Sequence, residues 1–145
     1  MFSSFRKELL AQYSNKKILI TGGSGYLASN LAMALKDVEC KILRLTRSVE
    51  KLIPIDGICE FVDVQSDLLT SDIWEETLEN IDIVYHFAAQ TSTYDANAHP
   101  AKDFQSNVLP MLELLKACDK NGWQPIVCST GTVTEAAIPR SVPVD

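Results

Sequence analysis

Residues 16–35 read KKILITGGSGYLASNLAMAL, and this stretch decides the fold. Lys16 to Thr21 closes on an unbroken aliphatic run, Ile18-Leu19-Ile20, the pattern of a strand buried on both faces. Gly22, Gly23 and Gly25 break it. From Tyr26, the residues Leu27, Leu31 and Leu35 recur every four positions, with Ala28, Ala32 and Ala34 among them. That spacing predicts a helix whose small-residue face packs closely on a sheet. The order strand, glycine turn, helix suits one demanding task. A phosphate must come against bare backbone N–H groups at a helix N-terminus, where partial positive charge sits. Side chains at Gly22 and Gly25 would obstruct that approach, and Ala28 stands where helix and strand lie close. A plain tight turn does not need three glycines in the four residues 22–25. No Gly-Lys-Ser/Thr follows, so the turn is not a P-loop. Thr21, Gly22, Gly23, Ser24, Gly25, Tyr26 and Leu27 form the candidate cradle of a dinucleotide.

Outward from this unit the same alternation continues. Lys41–Thr46 (KILRLT), Glu60–Val64 (EFVDV), Ile81–Phe87 (IDIVYHF) and Pro125–Cys128 (PIVC) read as further strands. Thr70, Ser71 and Asp72 are N-cap residues ahead of a helix that begins near Ile73. A longer helix is expected over Lys102–Asn121, with Phe104, Val108, Leu112 and Leu115 on one stripe. Pro110 should kink it and Gly122 should stop it. Nearly continuous apolar strands alternating with helices predict an α/β fold, a doubly wound parallel sheet of Rossmann type. Phe2, Phe5, Leu9 and Tyr13 recur at helical spacing, so residues 1–15 are expected to add an amphipathic helix that covers the body. Residues 16–145 then form the nucleotide-binding domain, ending in a loop over 136–145.

The bulk properties agree. A chain of 145 residues suits one domain, and 46% hydrophobic with 22% charged residues supports a packed core. A net charge of −6 argues against a nucleic-acid binder. The four cysteines form no Cys-x-x-Cys pair and only two histidines accompany them, so a metal site is not expected. Scattered cysteines fit a reducing compartment, read here as the cytoplasm. Arg6, Lys7 and Glu8 interrupt any signal-peptide core, and no run is long enough to span a membrane.

The segment TGGSGYLASNLA resembles the T-G-G-x-G-[FY]-[IL]-[GA] motif of the NAD-dependent epimerase/dehydratase family, the extended short-chain dehydrogenases. Four further segments resemble that family in the same order, so the likeness runs from Lys16 to Val133. Asp63-Val64 resembles its acidic residue after strand three, which the resemblance places at the adenine. IDIVYHFAAQTS resembles D-x-V-x-H-x-A-A, which puts Phe87, Ala88 and Ala89 under the cofactor. Asn107-Val108 resembles the Asn-Val of the next helix. IVCSTGTV resembles the end of strand five, which would make Thr130, with Ser129 before it, the catalytic hydroxyl. The resemblance implies hydride-transfer chemistry on a nucleotide-sugar-like or other carbonyl or hydroxyl substrate, and a homodimer is a further expectation.

Cofactor choice is read from the end of strand two. An acidic residue about 20 positions after the glycines would bind the ribose of NAD. Thr46 stands there instead, followed by Arg47 and Ser48, with Arg44 close by. Arginine pairs with a ribose phosphate that a carboxylate would repel, so NADP is favoured over NAD. Read without that role, Arg47 is an ordinary solvated loop charge. The family's Tyr-x-x-x-Lys pair should follow the strand-five hydroxyl, beyond Asp145. Tyr13 and Lys17 have the right spacing but precede the first strand, the wrong place for that work. The expectation is therefore a domain truncated after about five strands, inactive by itself, with an exposed strand-five edge. The competing readings are a non-catalytic dinucleotide-binding module or sensor and, against the character of the glycine turn, a methyltransferase-like Rossmann domain.

Overall fold

The computed structural model of the chain describes residues 2–69, 73, 80–122 and 124–127. Its centre is a five-stranded parallel sheet in the order β3-β2-β1-β4-β5. The strands are β1 Lys17–Thr21, β2 Lys41–Thr46, β3 Glu60–Gln65, β4 Ile83–His86 and β5 Gln124–Val127. Helix α1 covers Phe2–Ala11 and α2 covers Tyr26–Leu35. A short helix α3, Thr93–Ala98, precedes α4, Pro100–Asp103, which runs through a π-turn at Phe104–Val108 into α5, Leu109–Asn121.

Strand order carries the first functional consequence. The chain winds outward through β1, β2 and β3, then returns to place β4 on the other side of β1. Ligands of such sheets bind beyond the carboxyl ends of the strands at this reversal. Thr21 is aligned with His86 across the β1–β4 junction, so the glycine turn opens there.

The three central strands, β1, β2 and β4, are buried on both faces. Leu19, Leu43, Leu45 and Val84 pack with Ile73, Ile81, Leu114, Ala117 and Cys118 on one side. Ile18, Ile20, Ile42 and Tyr85 pack with Ala28, Leu35, Val38, Cys40 and Cys59 on the other. Leu10 and Tyr13 lie against this second cluster, so the amino-terminal segment caps it. Its anchor is a hydrogen bond of 2.6 Å between the Tyr13 and Tyr85 hydroxyls. Burial and that bond push the Tyr85 phenol well above its usual range.

The long helix needs one adjustment and two additions. The long helix starts at Pro100 rather than Lys102, because proline fits the first turn of a helix. A π-turn at Phe104–Val108 comes just before Pro110, which stands in the first turn of α5. Proline has no N–H and crowds the preceding carbonyls, and the wider turn lets the helix continue. The stripe Phe104, Val108, Leu112 and Leu115 faces outward, while Pro110, Leu114, Ala117 and Cys118 are buried. Gly122 ends α5 in a left-handed conformation, φ 69°, as expected. The caps at 70–72, Cys128 and the loop over 136–145 lie outside the described residues.

Candidate functional site

The site begins at an uncapped helix. Gly25 is the N-cap residue of α2, and it makes no side-chain cap hydrogen bond to the first turn. The first amides of a helix have no partner within it, so this end presents donors and partial positive charge. Gly25, Tyr26 and Leu27 are exposed here, whereas Ala28 is packed against the sheet. An anion at this position would meet backbone rather than side chain.

The turn is held from both sides. Gly22 has φ 68°, and a Cβ there would lie 2.8 Å from the Ala88 nitrogen. Glycine is thus required by conformation and by space. The Gly25 N–H donates to Gly22 O at 2.8 Å, and the Gly23 N–H donates to Leu45 O at 2.9 Å. The Ser24 hydroxyl meets that of Thr46 at 3.1 Å. Ser24 therefore ties the turn to β2 rather than projecting freely.

Beneath the turn, Thr21 and His86 join the two central strands. The Ala88 N–H donates to the Thr21 hydroxyl at 3.2 Å, and that hydroxyl lies 2.9 Å from His86 Nδ1. Both side chains are buried. Burial lowers the His86 pKa, so the neutral ring is favoured. His86 is a structural tie at the strand end.

Phe87 and Ala88 follow beside Gly22, and Ala89 continues the segment. Asn107 fixes the course of this segment. Its side-chain oxygen accepts from Gln90 N–H at 2.7 Å, and its amide nitrogen donates to Gln90 O at 3.0 Å and to Asp103 at 3.0 Å. Asn107 lies inside the π-turn, a local widening that often accompanies functional sites. Its role here is to position the loop.

The outer end is built by β2 and β3. The Thr46 hydroxyl accepts from Ser48 N–H at 3.2 Å, shaping the start of the following segment. Arg47 is exposed, and its guanidinium has no partner among the described residues. Arg44 differs from the expectation that it stands near a ribose phosphate. It is buried and donates to both oxygens of Asp63, at 2.7 and 3.0 Å, and to Ile53 O at 2.8 Å. Asp63 accordingly sits within β3, paired across the sheet with Arg44, rather than after the strand. Val64 packs partly on the core. Asp67, beyond the carboxyl end of β3, is exposed and accepts from the Leu69 N–H at 3.1 Å.

Ser129 and Thr130 lie outside the described residues. Tyr13 is bonded to Tyr85, and Lys17 begins β1 at the end opposite the glycine turn. No group of three or more potential metal ligands occurs among the described residues. Among them, too, no helix is long and apolar enough to cross a membrane.

With this geometry in place, comparison with known proteins is specific. The NAD dependent epimerase/dehydratase family matches residues 18–143. A trifunctional UDP-glucose 4,6-dehydratase/UDP-4-keto-6-deoxy-D-glucose 3,5-epimerase/UDP-4-keto-L-rhamnose-reductase of Arabidopsis thaliana is 31% identical over 122 residues, covering 78% of this chain and 18% of that protein. A UDP-glucose 4-epimerase of Lactobacillus helveticus is 29% identical over 131 residues, covering 88% of this chain and 39% of that protein. An epimerase structure from Methanothermobacter thermautotrophicus superposes with a TM-score of 0.77 at 25% identity, over 88% of this chain and 39% of that one. The UDP-glucose 4-epimerase of Thermotoga maritima gives 0.68 at 27% identity, over 79% and 38%. The chain thus spans between 18% and 39% of the length of these relatives. The chain belongs to the NAD dependent epimerase/dehydratase family.

Proposed function

We propose that this family member is the dinucleotide-binding part of an epimerase, dehydratase or reductase that acts on a nucleotide-sugar-like substrate, with NADP preferred over NAD. One observation carries the reading. The uncapped start of α2 and the Gly22–Gly25 turn open at the reversal of strand order, where a Cβ at Gly22 would strike Ala88. That cradle suits the pyrophosphate of a dinucleotide.

The roles of the chain's own residues follow. Backbone amides of the stretch from Gly22 to Ala28 hold the pyrophosphate, chiefly those of the first turn of α2, since the Gly23 and Gly25 N–H groups are engaged by Leu45 O and Gly22 O. Phe87, Ala88 and Ala89, fixed by Asn107, support the nicotinamide side. Thr46 and Ser48 shape the ribose end, and Arg47 meets the 2′-phosphate. No acidic side chain stands at the end of β2 to repel that phosphate, which supports NADP. Thr130, with Ser129, would orient the reacting oxygen of the substrate, as the family resemblance implies. The bound nicotinamide supplies hydride acceptance and return. Relatives named for UDP-sugars support that substrate class. Three free buried thiols, at Cys40, Cys59 and Cys118, fit a cytoplasmic setting. The outward stripe on the long helix is the surface through which a homodimer would form.

Calorimetric titration of the chain with NADP and with NAD tests the reading. Binding tighter than ~1 mM is expected for both, and tighter for NADP. A folded chain that takes up neither dinucleotide would sink it.

A further inference from the structure

Arg44 breaks the apolar pattern of β2, where KILRLT otherwise reads as buried strand. Alternation puts it on the same face as Ile42, toward α2. It is only 5% exposed. Burying a guanidinium is unfavourable unless its donors are used, and a buried ion pair adds little net stability. The donors are used in a pattern that points at the site. Nε and Nη2 grip both oxygens of Asp63 on β3, directly opposite in register. Nη1 donates to the carbonyl of Ile53, in the segment that leaves β2. The guanidinium also lies 5.1 Å above the Phe61 ring. At its root, Arg44 supports the glycine turn: a Cβ on Gly23 would come within 3.0 Å of the Arg44 Cβ.

One side chain therefore links the glycine turn, β3 and the far end of the segment that begins with Arg47. The near end of that segment is already fixed by Thr46 and Ser48, and Gln65 donates to Arg47 O at 3.3 Å. We propose that Arg44 is a positioning residue for cofactor choice: it touches no ligand, but its grip on Ile53 and Asp63 holds Arg47 where a 2′-phosphate would lie. This inference rests on the dinucleotide reading above and deepens it. It divides two arginines of one strand end into a recogniser, Arg47, and its support, Arg44.

The division makes a selective prediction. Arg44→Lys keeps the charge but loses the planar fork and the reach to two partners at once. Titrations of the full chain with NADP and NAD should show NADP affinity falling roughly tenfold and NAD affinity far less. Asp63→Asn, which keeps the shape but weakens the grip, should shift the ratio the same way. In an Arg47→Ala background, Arg44→Lys should add no further loss specific to NADP. Thermal melts confirm that each variant is folded, and Asp63→Asn decides if Arg44→Lys is not. A purely structural Arg44 would lower the melting temperature and move both cofactors equally, which overturns the inference. An unaltered chain that binds neither cofactor overturns the dinucleotide reading itself, and the two failures are distinct.

Discussion

The Thr21 hydroxyl joins the ends of the two central strands, lying 2.9 Å from His86 Nδ1 while accepting the Ala88 N–H at 3.2 Å. The hydroxyl has a second lone pair and one proton, so it bonds His86 Nδ1 in either ring tautomer while accepting the Ala88 N–H. A residue that sequence reading places in the cradle thus acts from below it. It ties the β4 end, where Ala88 lies against Gly22, to β1.

Thr21→Val should test that tie. Valine keeps the shape but leaves the Ala88 N–H and His86 Nδ1 unsatisfied in a buried place. The expected loss is about 1–3 kcal/mol of folding stability. Thr21→Ser should recover most of it. Urea denaturation of the three proteins gives the comparison, and equal midpoints for threonine and valine would remove the tie from the account.

The same pair makes stability depend on pH. Burial holds the folded His86 pKa below the ordinary value of 6.5. The unfolded ring therefore binds its proton first as pH falls. The stability owed to neutral His86 is complete above about pH 6.5 and is lost as pH drops through the folded value. Asp82 acts in a separate window. The Lys17 N–H and the Lys16 ammonium hold its pKa below 3.8, so its contribution is present above that value and fades only in stronger acid. Denaturation midpoints at pH 8, 6.5 and 5.5 should fall in that order, and His86→Gln should flatten the series.

Most of this architecture was legible because strands buried on both faces leave an unmistakable apolar run. The central strands β1, β2 and β4 and the glycine turn follow from Ile18–Ile20 and its counterparts, whereas β3, EFVDVQ, alternates and is only partly buried. The outer helix was harder for a physical reason. It carries two apolar stripes, Phe104–Val108–Leu112–Leu115 and Pro110–Leu114–Ala117–Cys118, and periodicity alone does not say which meets the sheet. A π-turn also shifts the phase between them, and Pro110 was its only visible trace. Helix α3 escaped notice because it is short and begins at Ser92, whose hydroxyl accepts from Asp95 N–H at 3.2 Å. At the site, residue types were readable but partnerships were not. Arg44 and Asp63 are adjacent only through strand register, which the sequence does not print.

Two glycines with nearly the same backbone angle separate conformation from site geometry. Gly22 and Gly122 have φ 68° and 69°, but a Cβ at Gly122 would meet nothing within 4 Å. Gly122→Ala should cost only the left-handed penalty, about 1–2 kcal/mol, and leave cofactor affinity unchanged. Gly22→Ala adds a collision with backbone at Ala88 and should abolish dinucleotide binding. Melting curves and calorimetry on both variants make the comparison. Equal effects on binding would mean that the turn is ordinary.

Arg47→Asp addresses the 2′-phosphate directly. Reversing an exposed charge should change folding stability by no more than about 0.5 kcal/mol. Its effect on NADP should be large, roughly a hundredfold weaker, because an attraction becomes a repulsion. NAD, lacking the phosphate, should bind as well or slightly better. Titration at two salt concentrations strengthens the test, since screening should shrink the NADP loss. A parallel loss for both cofactors would take Arg47 out of the ribose site.

The outward stripe gives the last prediction. Phe104, Val108, Leu112 and Leu115 are each 40–50% exposed along one side of the long helix. A line of large apolar side chains open to water is unusual unless another surface covers it. A second copy is the partner proposed here, and a two-fold arrangement would set each stripe against its equivalent. Sedimentation of the chain should then show mass rising with concentration toward a dimer. Leu112→Glu should hold it as a monomer, because a carboxylate at the centre of that contact would be buried against its own copy. Its folding stability at low concentration should stay within about 0.5 kcal/mol of the parent, since Leu112 does not contribute to the buried core. A chain that sediments as a monomer at every concentration, with or without the substitution, would leave the stripe without this role.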